Sequence, residues 1–379
     1  MIRSIRKKTV LFLAIVLIGP LQSAPAEPIS VVAVGDLLLG GSAAPVVKRS
    51  GFAYPFRTTE RYIKQADIAL ANLEAPLTAR GEKHPDKTWT FRVPTAAVAA
   101  IKAAGFDLMT LANNHIGDYG EPGILDTLDA LEKAGLGISG AGRNIVAARA
   151  PHVVEIDQVR IAFLSYSNTF PKSFYAKKDK PGTAPGYFDD VAADIRKARK
   201  LYDHVIVSFH WGGERMNEPK DYQMELGRLA IDNGADVVIG HHPHVLQGAE
   251  RYKGGVIYYS LGNFAFGSYS QSSVTAGMAR VWFDNGKLVK AEILPLNVFN
   301  IDVHFQPKPL LNGPAYAFAR DFNGYSEAFN TRLQRQPGPF WGIVKEQNSE
   351  DSVQEAEELL ARGLEASDNQ PPRKGEKPF

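Results

Sequence analysis

The chain has no cysteine. That excludes disulfides, thiolate nucleophiles and cysteine-ligated zinc, so any metal must be held by nitrogen and oxygen ligands. It also lacks an apolar run long enough to span a bilayer, which takes roughly 20 residues. The longest run, Val10 to Ile18, is well short of that. No charge of one sign dominates: 43 Lys and Arg face 41 Asp and Glu, for a net charge of +2, and the two signs are interspersed. Without a strong field, nucleic acid and anionic membranes are not expected partners. No internal repeat is found. What remains is 379 residues with 44% apolar content, enough for one large domain or two ordinary ones to bury a core without staples.

The first 26 residues join a basic stretch, Arg3 to Lys8, to the apolar run and then to Ala24-Pro25-Ala26, a small-residue cleavage site. This pattern predicts a signal peptide over residues 1–26 and a protein of the periplasm or cell surface. An N-terminal anchor that stays uncleaved is the alternative. No cysteine follows the run, so a lipoprotein attachment site is absent.

From Ile29 to Gly248, β-branched runs alternate with helix-period segments, the sign of βαβ units around a mostly parallel sheet. Strands are predicted at Ser30-Asp36, Ile68-Asn72, Leu108-Ala112, Val205-His210 and Val237-Gly240. Helices are predicted at Thr95-Ala104, Pro122-Ala134, Val191-Leu201 and Tyr222-Asn233. Val153 to Tyr166 reads as a hairpin turning at Asp157-Gln158, and a second hairpin, Gly277-Phe283 with Leu288-Pro295, turns at Asp284-Asn285-Gly286. A second, partly antiparallel sheet follows from these. Past Phe305 the patterning weakens, so one domain is placed over residues 27–305 and an extension over 306–379. The extension carries a short acidic helix at Asp351-Ala366 and a polar, Pro-rich tail from Asp368. Pro171-Gly186 reads as an exposed loop that could border a site.

Residues with metal-ligand chemistry recur at the carboxyl ends of the predicted strands, where an open α/β sheet gathers them into one crevice. Val31-Val32-Ala33-Val34-Gly35-Asp36 and Ala69-Leu70-Ala71-Asn72-Leu73-Glu74 each deliver a carboxylate. Leu111-Ala112-Asn113-Asn114-His115 delivers an amide beside an imidazole, which suits either a capped turn or a divalent ion. The run from Val205 ends in His210, and Gly240-His241-His242-Pro243-His244 sets three imidazoles in four positions. Several clustered imidazoles have few structural uses, and neutral imidazole is a favoured ligand for Zn, Fe and Mn. If that segment is extended, His242 and His244 point the same way, stiffened by Pro243.

These motifs resemble a known family. Gly35-Asp36, Asn72-Leu73-Glu74, Asn113-Asn114-His115 with Asp118 and Gly120, His210-Trp211-Gly212 with Glu214, Gly240 to His244 and Ser260-Leu261-Gly262-Asn263-Phe264 resemble the poly-γ-glutamate capsule synthesis (CapA) family. That family is itself similar to the calcineurin-like metallophosphoesterases, and the resemblance runs from Ile29 to Phe305. It implies a four-layer αββα sandwich with mixed sheets and a site for one or two divalent ions, Mn, Fe or Zn. One ion would take Glu74, Asn114, His210 and His242; the other would take Asp36, Glu74 and His244, with His115 as the acid that protonates the leaving group. Leu38 stands where the metallophosphoesterases place a further histidine ligand, and Glu74 where they place an aspartate.

The resemblance thus implies a metal-dependent hydrolase acting outside the cytoplasm on a phosphoester or a γ-linked amide, in the synthesis, attachment or release of an anionic capsule polymer. The rival implication is a non-catalytic envelope subunit that works beside the membrane subunits of a capsule synthase. A third reading, a binding module for an anionic polymer, would use Lys83, Lys87, Lys172, Lys177, Lys178 and Lys180; solvated lysines on exposed loops are its plain alternative. Protein recovered from the cell envelope is expected to begin at Glu27. N-terminal sequencing checks this, and an intact Met1 would mean an uncleaved anchor.

Overall fold

A computed structural model describes residues 27–346. The expected signal segment, the acidic helix and the polar tail lie outside the described residues. The first strand, Ile29–Leu38, is buried along its whole length and forms the middle of a 10-stranded mixed sheet. It runs parallel to Ile68–Leu73 on one side and antiparallel to Thr275–Asp284 on the other. Leu108–Thr110 and Gly137–Ser139 continue the parallel half, and Lys287–Asn297 continues the antiparallel half. A second sheet of six strands places Val237–His241 between Gly255–Tyr258 and His204–His210, all parallel, with the hairpin His152–Ile156 and Val159–Ser167 at one edge.

The continuous apolar runs have a simple cause, since a strand covered on both faces needs apolar residues at every position. Successive side chains point to opposite faces. Val31 and Ala33 therefore join Ile68 and Leu70 in a core shared with Ile206, Val237 and Ile239 of the second sheet. Val32 and Val34 point the other way, onto the helices Ala97–Ala103 and Gly120–Lys133 through Ile101, Ile124 and Leu128. Val205, Val207 and Val238 of the second sheet likewise meet Val191, Ile195 and Leu226 of Phe188–Leu201 and Asp221–Asp232. Helix, sheet, sheet and helix form four layers, an αββα sandwich with mixed sheets. No helix of the described residues is long and apolar enough to cross a membrane.

Both expected hairpins form. Their turns hold Asp157 and Gln158 at φ 49° and 70°, and Asn285 and Gly286 at 49° and 73°, the left-handed pair that a two-residue hairpin requires. Three expectations need adjustment. The strand from Leu108 ends at Thr110, because the chain then leaves the sheet for the turn that carries Asn113. Pro171-Gly186 is not exposed throughout: Phe174 and residues 181–186 are buried. Residues 308–345, read as part of an extension, continue the sandwich: Trp341–Lys345 pairs with Lys287–Asn297, and helix Gly313–Ser326 sends Phe318 and Phe322 into the core between the sheets.

One contact sets how closely the strand ends approach. The segment from Tyr259 to Asn263 crosses between the sheets, donating from Leu261 N–H to the Gly240 carbonyl at 3.2 Å and accepting from Asp36 N–H at the Gly262 carbonyl at 3.0 Å. A Cβ on Gly35 would lie 1.9 Å from the Gly262 oxygen, and one on Gly240 would lie 1.9 Å from the Tyr259 oxygen. Only glycine admits the crossing. Gly35→Ala is expected to lower stability by about 3 kcal/mol or more, at the upper end of overpacking costs. Gly324→Ala, in a helix with open space around it, is expected to raise stability by about 0.5–1 kcal/mol. Urea denaturation of both variants checks the contrast.

Candidate metal centre

The two sheets bring the carboxyl ends of their parallel strands to one place. Asp36 and Glu74, from the first sheet, are fully buried there. Asp36 Oδ1 accepts from the Asn72 amide at 2.8 Å and lies 3.2 Å from His241 Nδ1. Its Oδ2 lies 3.0 Å from His244 Nδ1 and accepts from the His242 backbone N–H at 3.3 Å. Glu74 is different. Both its carboxylate oxygens are buried without a hydrogen-bond partner, and the nearest imidazole nitrogens, Nε2 of His210 and of His244, stand off at 3.4 and 3.6 Å. His210, ending its strand, places Nε2 2.8 Å from the Asn114 side-chain oxygen. Asp36, Glu74, Asn114, His210, His242 and His244 thus meet as expected.

Their atoms fall into overlapping sets: Glu74, His210 and His242; Asp36, Glu74 and His244; and Glu214, His242 and His244. Within each set the donor atoms lie within 4.8 Å of one another. His242 Nδ1 is also buried without a partner. A burial that leaves three donor atoms unsatisfied is costly unless a cation takes them. The donors are imidazole, carboxylate and amide oxygen, so they fit a divalent ion.

The electrostatics point the same way. Burial pushes His210 and His242 down, helped by neighbouring imidazoles, His242 to about 3, so both are neutral and able to ligate. Burial and the Asp36 charge hold Glu74 above the usual carboxylate range. Asp36 resists its own burial, because His241 and His244 bond to it and hold it well below that range. His244, though buried, is pushed up to about 10 by Glu74 and Asp36. A protonated His244 between the carboxylates supplies positive charge where an ion would supply more.

The segment from His242 to His244 is not extended, so the condition under which the two imidazoles would point the same way is not met. Both residues have positive φ, 93° and 58°, because the chain turns sharply after His241 to reach Asp36. Strained backbone of this kind costs about 1–3 kcal/mol per residue. The adjacent amides also divide their work. Asn113 binds the Leu73 carbonyl and caps the His115 and Ile116 N–H groups, while Asn114 faces His210.

Beside the ligand cluster, His115 Nδ1 sits 2.7 Å from Asp118 Oδ2, which also accepts from the Phe91 backbone N–H at 2.7 Å. Lys87 reaches the other Asp118 oxygen at 2.5 Å and donates to the Asn114 carbonyl. Burial lowers the pKa of His115, and the Asp118 bond opposes that shift. Lys87 is therefore not a solvated loop lysine, whereas Lys83, Lys172, Lys177 and Lys178 are exposed and Lys180 Nζ turns back to the Ser173 carbonyl at 2.6 Å. Asn263, whose side-chain oxygen lies 2.9 Å from His244 Nδ1, also had no expected role. The Asn263 motif was visible in the sequence. Lys87 was expected only as one of the polymer-binding lysines, and its contact with Asp118 comes from a loop with no regular period.

A cavity of about 450 Å³ opens on this cluster, with His115, His244, Asn263, Trp89, Phe91 and Glu214 among its walls. Residues 30–268 match the family described as bacterial capsule synthesis protein PGA_cap. The chain belongs to that family. The chain is 34% identical over 289 residues to the capsule biosynthesis protein CapA of Bacillus anthracis, covering 74% of this chain and 70% of that protein. It is 34% identical over 267 residues to the PGA biosynthesis protein CapA of Bacillus subtilis strain 168, covering 70% of each. A solved structure with a similar chain path is the calcineurin-like phosphoesterase YfkN of Bacillus subtilis, with a TM-score of 0.45 and 13% identity over 80% of this chain and 96% of that one. All five segments that carry the candidate site residues, from Asp36 to His244, fall inside the matched span.

Proposed function

We propose that this PGA_cap protein is an exported, metal-dependent hydrolase that cleaves a phosphoester or a γ-linked amide in the synthesis, attachment or release of a poly-γ-glutamate or related capsule polymer. The observation that carries the reading is the juxtaposition of the Glu74 carboxylate, buried and without a partner, with the His115–Asp118 pair at one cavity. Glu74, Asn114, His210 and His242 would hold one ion; Asp36, Glu74 and His244 would hold the other. A bound divalent ion would polarise a phosphoryl or carbonyl oxygen and neutralise the charge that develops there.

The chain's own groups supply the rest. Asp118 fixes the His115 ring through Nδ1–H, which leaves Nε2 as the atom that holds a proton and gives it to the leaving group. The Asp118 carboxylate stabilises the imidazolium before that transfer, while burial lowers His115's hold on the proton. Lys87 and the Phe91 N–H keep Asp118 in place. Trp89 and Phe91 wall the cavity.

One observation favours a non-catalytic envelope subunit of a polymer synthase. Leu38 is fully buried in the apolar layer beneath the sheet and offers no ligand. Pure protein that binds metal yet hydrolyses neither bis-p-nitrophenyl phosphate nor γ-glutamyl-p-nitroanilide would support that reading.

Two measurements test the enzyme. His210→Ala and His242→Ala are each expected to lose bound metal, measured by plasma emission spectroscopy; full retention in both means the ligand assignment is wrong. His115→Ala is expected to keep its metal and its fold while turnover of the responsive probe falls by roughly 10²- to 10⁴-fold, the usual worth of a positioned acid. Asn114→Ala, one residue away, is expected to weaken metal binding instead. Equal metal loss in these two adjacent variants would sink the acid role of His115.

A further inference from the structure

The donor set around Asp36 is short of a ligand on the side where Leu38 stands. Leu38 packs in the apolar layer with Leu37 and Leu39 and has no route to the site. Across the cavity, the loop after strand His204–His210 carries Glu214. The loop is tied on both sides of that residue. Gly212, at φ 89°, donates its N–H to the Tyr222 hydroxyl at 2.6 Å, and Arg215 donates its N–H to the Pro243 carbonyl at 2.8 Å. The second tie is to the turn that carries His242 and His244, so the two segments hold a fixed relation.

Three observations single out Glu214. It offers an oxygen within 4.8 Å of a nitrogen of His242 and of His244. Its carboxylate makes no hydrogen bond or ion pair among the described residues, although it lies in a cavity wall with Arg215 next to it. The atoms it approaches belong to the same cluster in which His242 Nδ1 and both Glu74 oxygens are buried without partners. His244 is common to the Glu214 set and to the set of Asp36 and Glu74.

We propose that Glu214 is a metal ligand, completing the ion held by Asp36, Glu74 and His244 in place of the imidazole that Leu38 cannot supply. The inference rests on the reading of this site as a metal centre. An oxygen donor on an exposed side chain has a chemical consequence. It leaves that ion with three carboxylates and one imidazole, a harder set that favours Mn²⁺ over Zn²⁺ relative to the His210 side. Because Glu214 is exposed, its carboxylate is also the ligand most readily displaced by an anionic substrate.

The test uses Mn²⁺ and the metal-free full-length protein, with no reliance on activity. Wild-type protein is titrated with Mn²⁺ by calorimetry and by electron paramagnetic resonance, beside Glu214→Gln, Asp36→Asn and His210→Ala. Glutamine keeps the size of the side chain and removes its charge. The expected result is that Glu214→Gln weakens one ion by on the order of tenfold or more, since even groups outside the ligand sphere commonly contribute 10- to 100-fold. That ion should be the one Asp36→Asn weakens, with the one His210→Ala weakens unaffected. The Mn²⁺-induced rise in melting temperature should shrink in parallel. Unchanged affinity for both ions in Glu214→Gln, while His210→Ala still loses one, overturns the ligand role of Glu214 and leaves the metal centre standing. Weakening only of the ion that His210→Ala loses overturns the placement beside Asp36. Wild-type protein that binds no Mn²⁺ overturns the metal centre and the ligand role together.

Discussion

Two carboxylates buried side by side, Asp36 and Glu74, are the constraint around which the site is arranged. Neither has access to water, and each disfavours the charge of the other. An isolated buried charge is prohibitive, so such a pair persists only with positive charge or protons between its members. Asp36 meets the requirement chiefly through His244, whose Nδ1 lies 3.0 Å from it. Glu74 is left without a hydrogen bond, and its unsatisfied oxygens face the imidazoles of the other sheet. The proposed metal-binding role rests on that imbalance more directly than on the number of histidines.

Bringing those groups together needs two sheets whose strand ends converge more closely than side chains normally allow. Gly35 and Gly240 make the convergence possible, because the backbone from Tyr259 to Asn263 passes where a Cβ would stand on either. The same crossing strand delivers Asn263 to His244. Packing of the sandwich and placement of the ligands are thus one problem. A disturbance at either glycine would move the first sheet's carboxylates away from the second sheet's imidazoles.

His115 and its partners form a second unit that touches the ligand cluster without belonging to it. Asp118 lies against Nδ1 of His115 and accepts from the Phe91 N–H and the Lys87 ammonium, so a single carboxylate ties His115 to the loop that walls the cavity. The ring of Phe91 packs 4.9 Å from that of His115. Membership of the PGA_cap family gives the setting in which this chemistry would act. The cavity supplies its geometry.

The sequence by itself determined the alternation of strands and helices, both hairpin turns and which strand ends carry ligand chemistry. These are local properties: side-chain period, turn residues with left-handed preference, and polar residues that interrupt apolar runs at a strand's end. It also revealed that Leu38 stands where a ligand was expected. Only the tertiary structure decided that Glu74 lacks a partner, that Lys87 is bound to Asp118, that Glu214 faces His242 and His244, and that residues 308–345 complete the larger sheet. Each of those depends on segments far apart in the chain, and their meeting is set by how two twisted sheets pack. It also decided that the His242 to His244 turn is left-handed, because reaching Asp36 outweighs the local preference of the backbone.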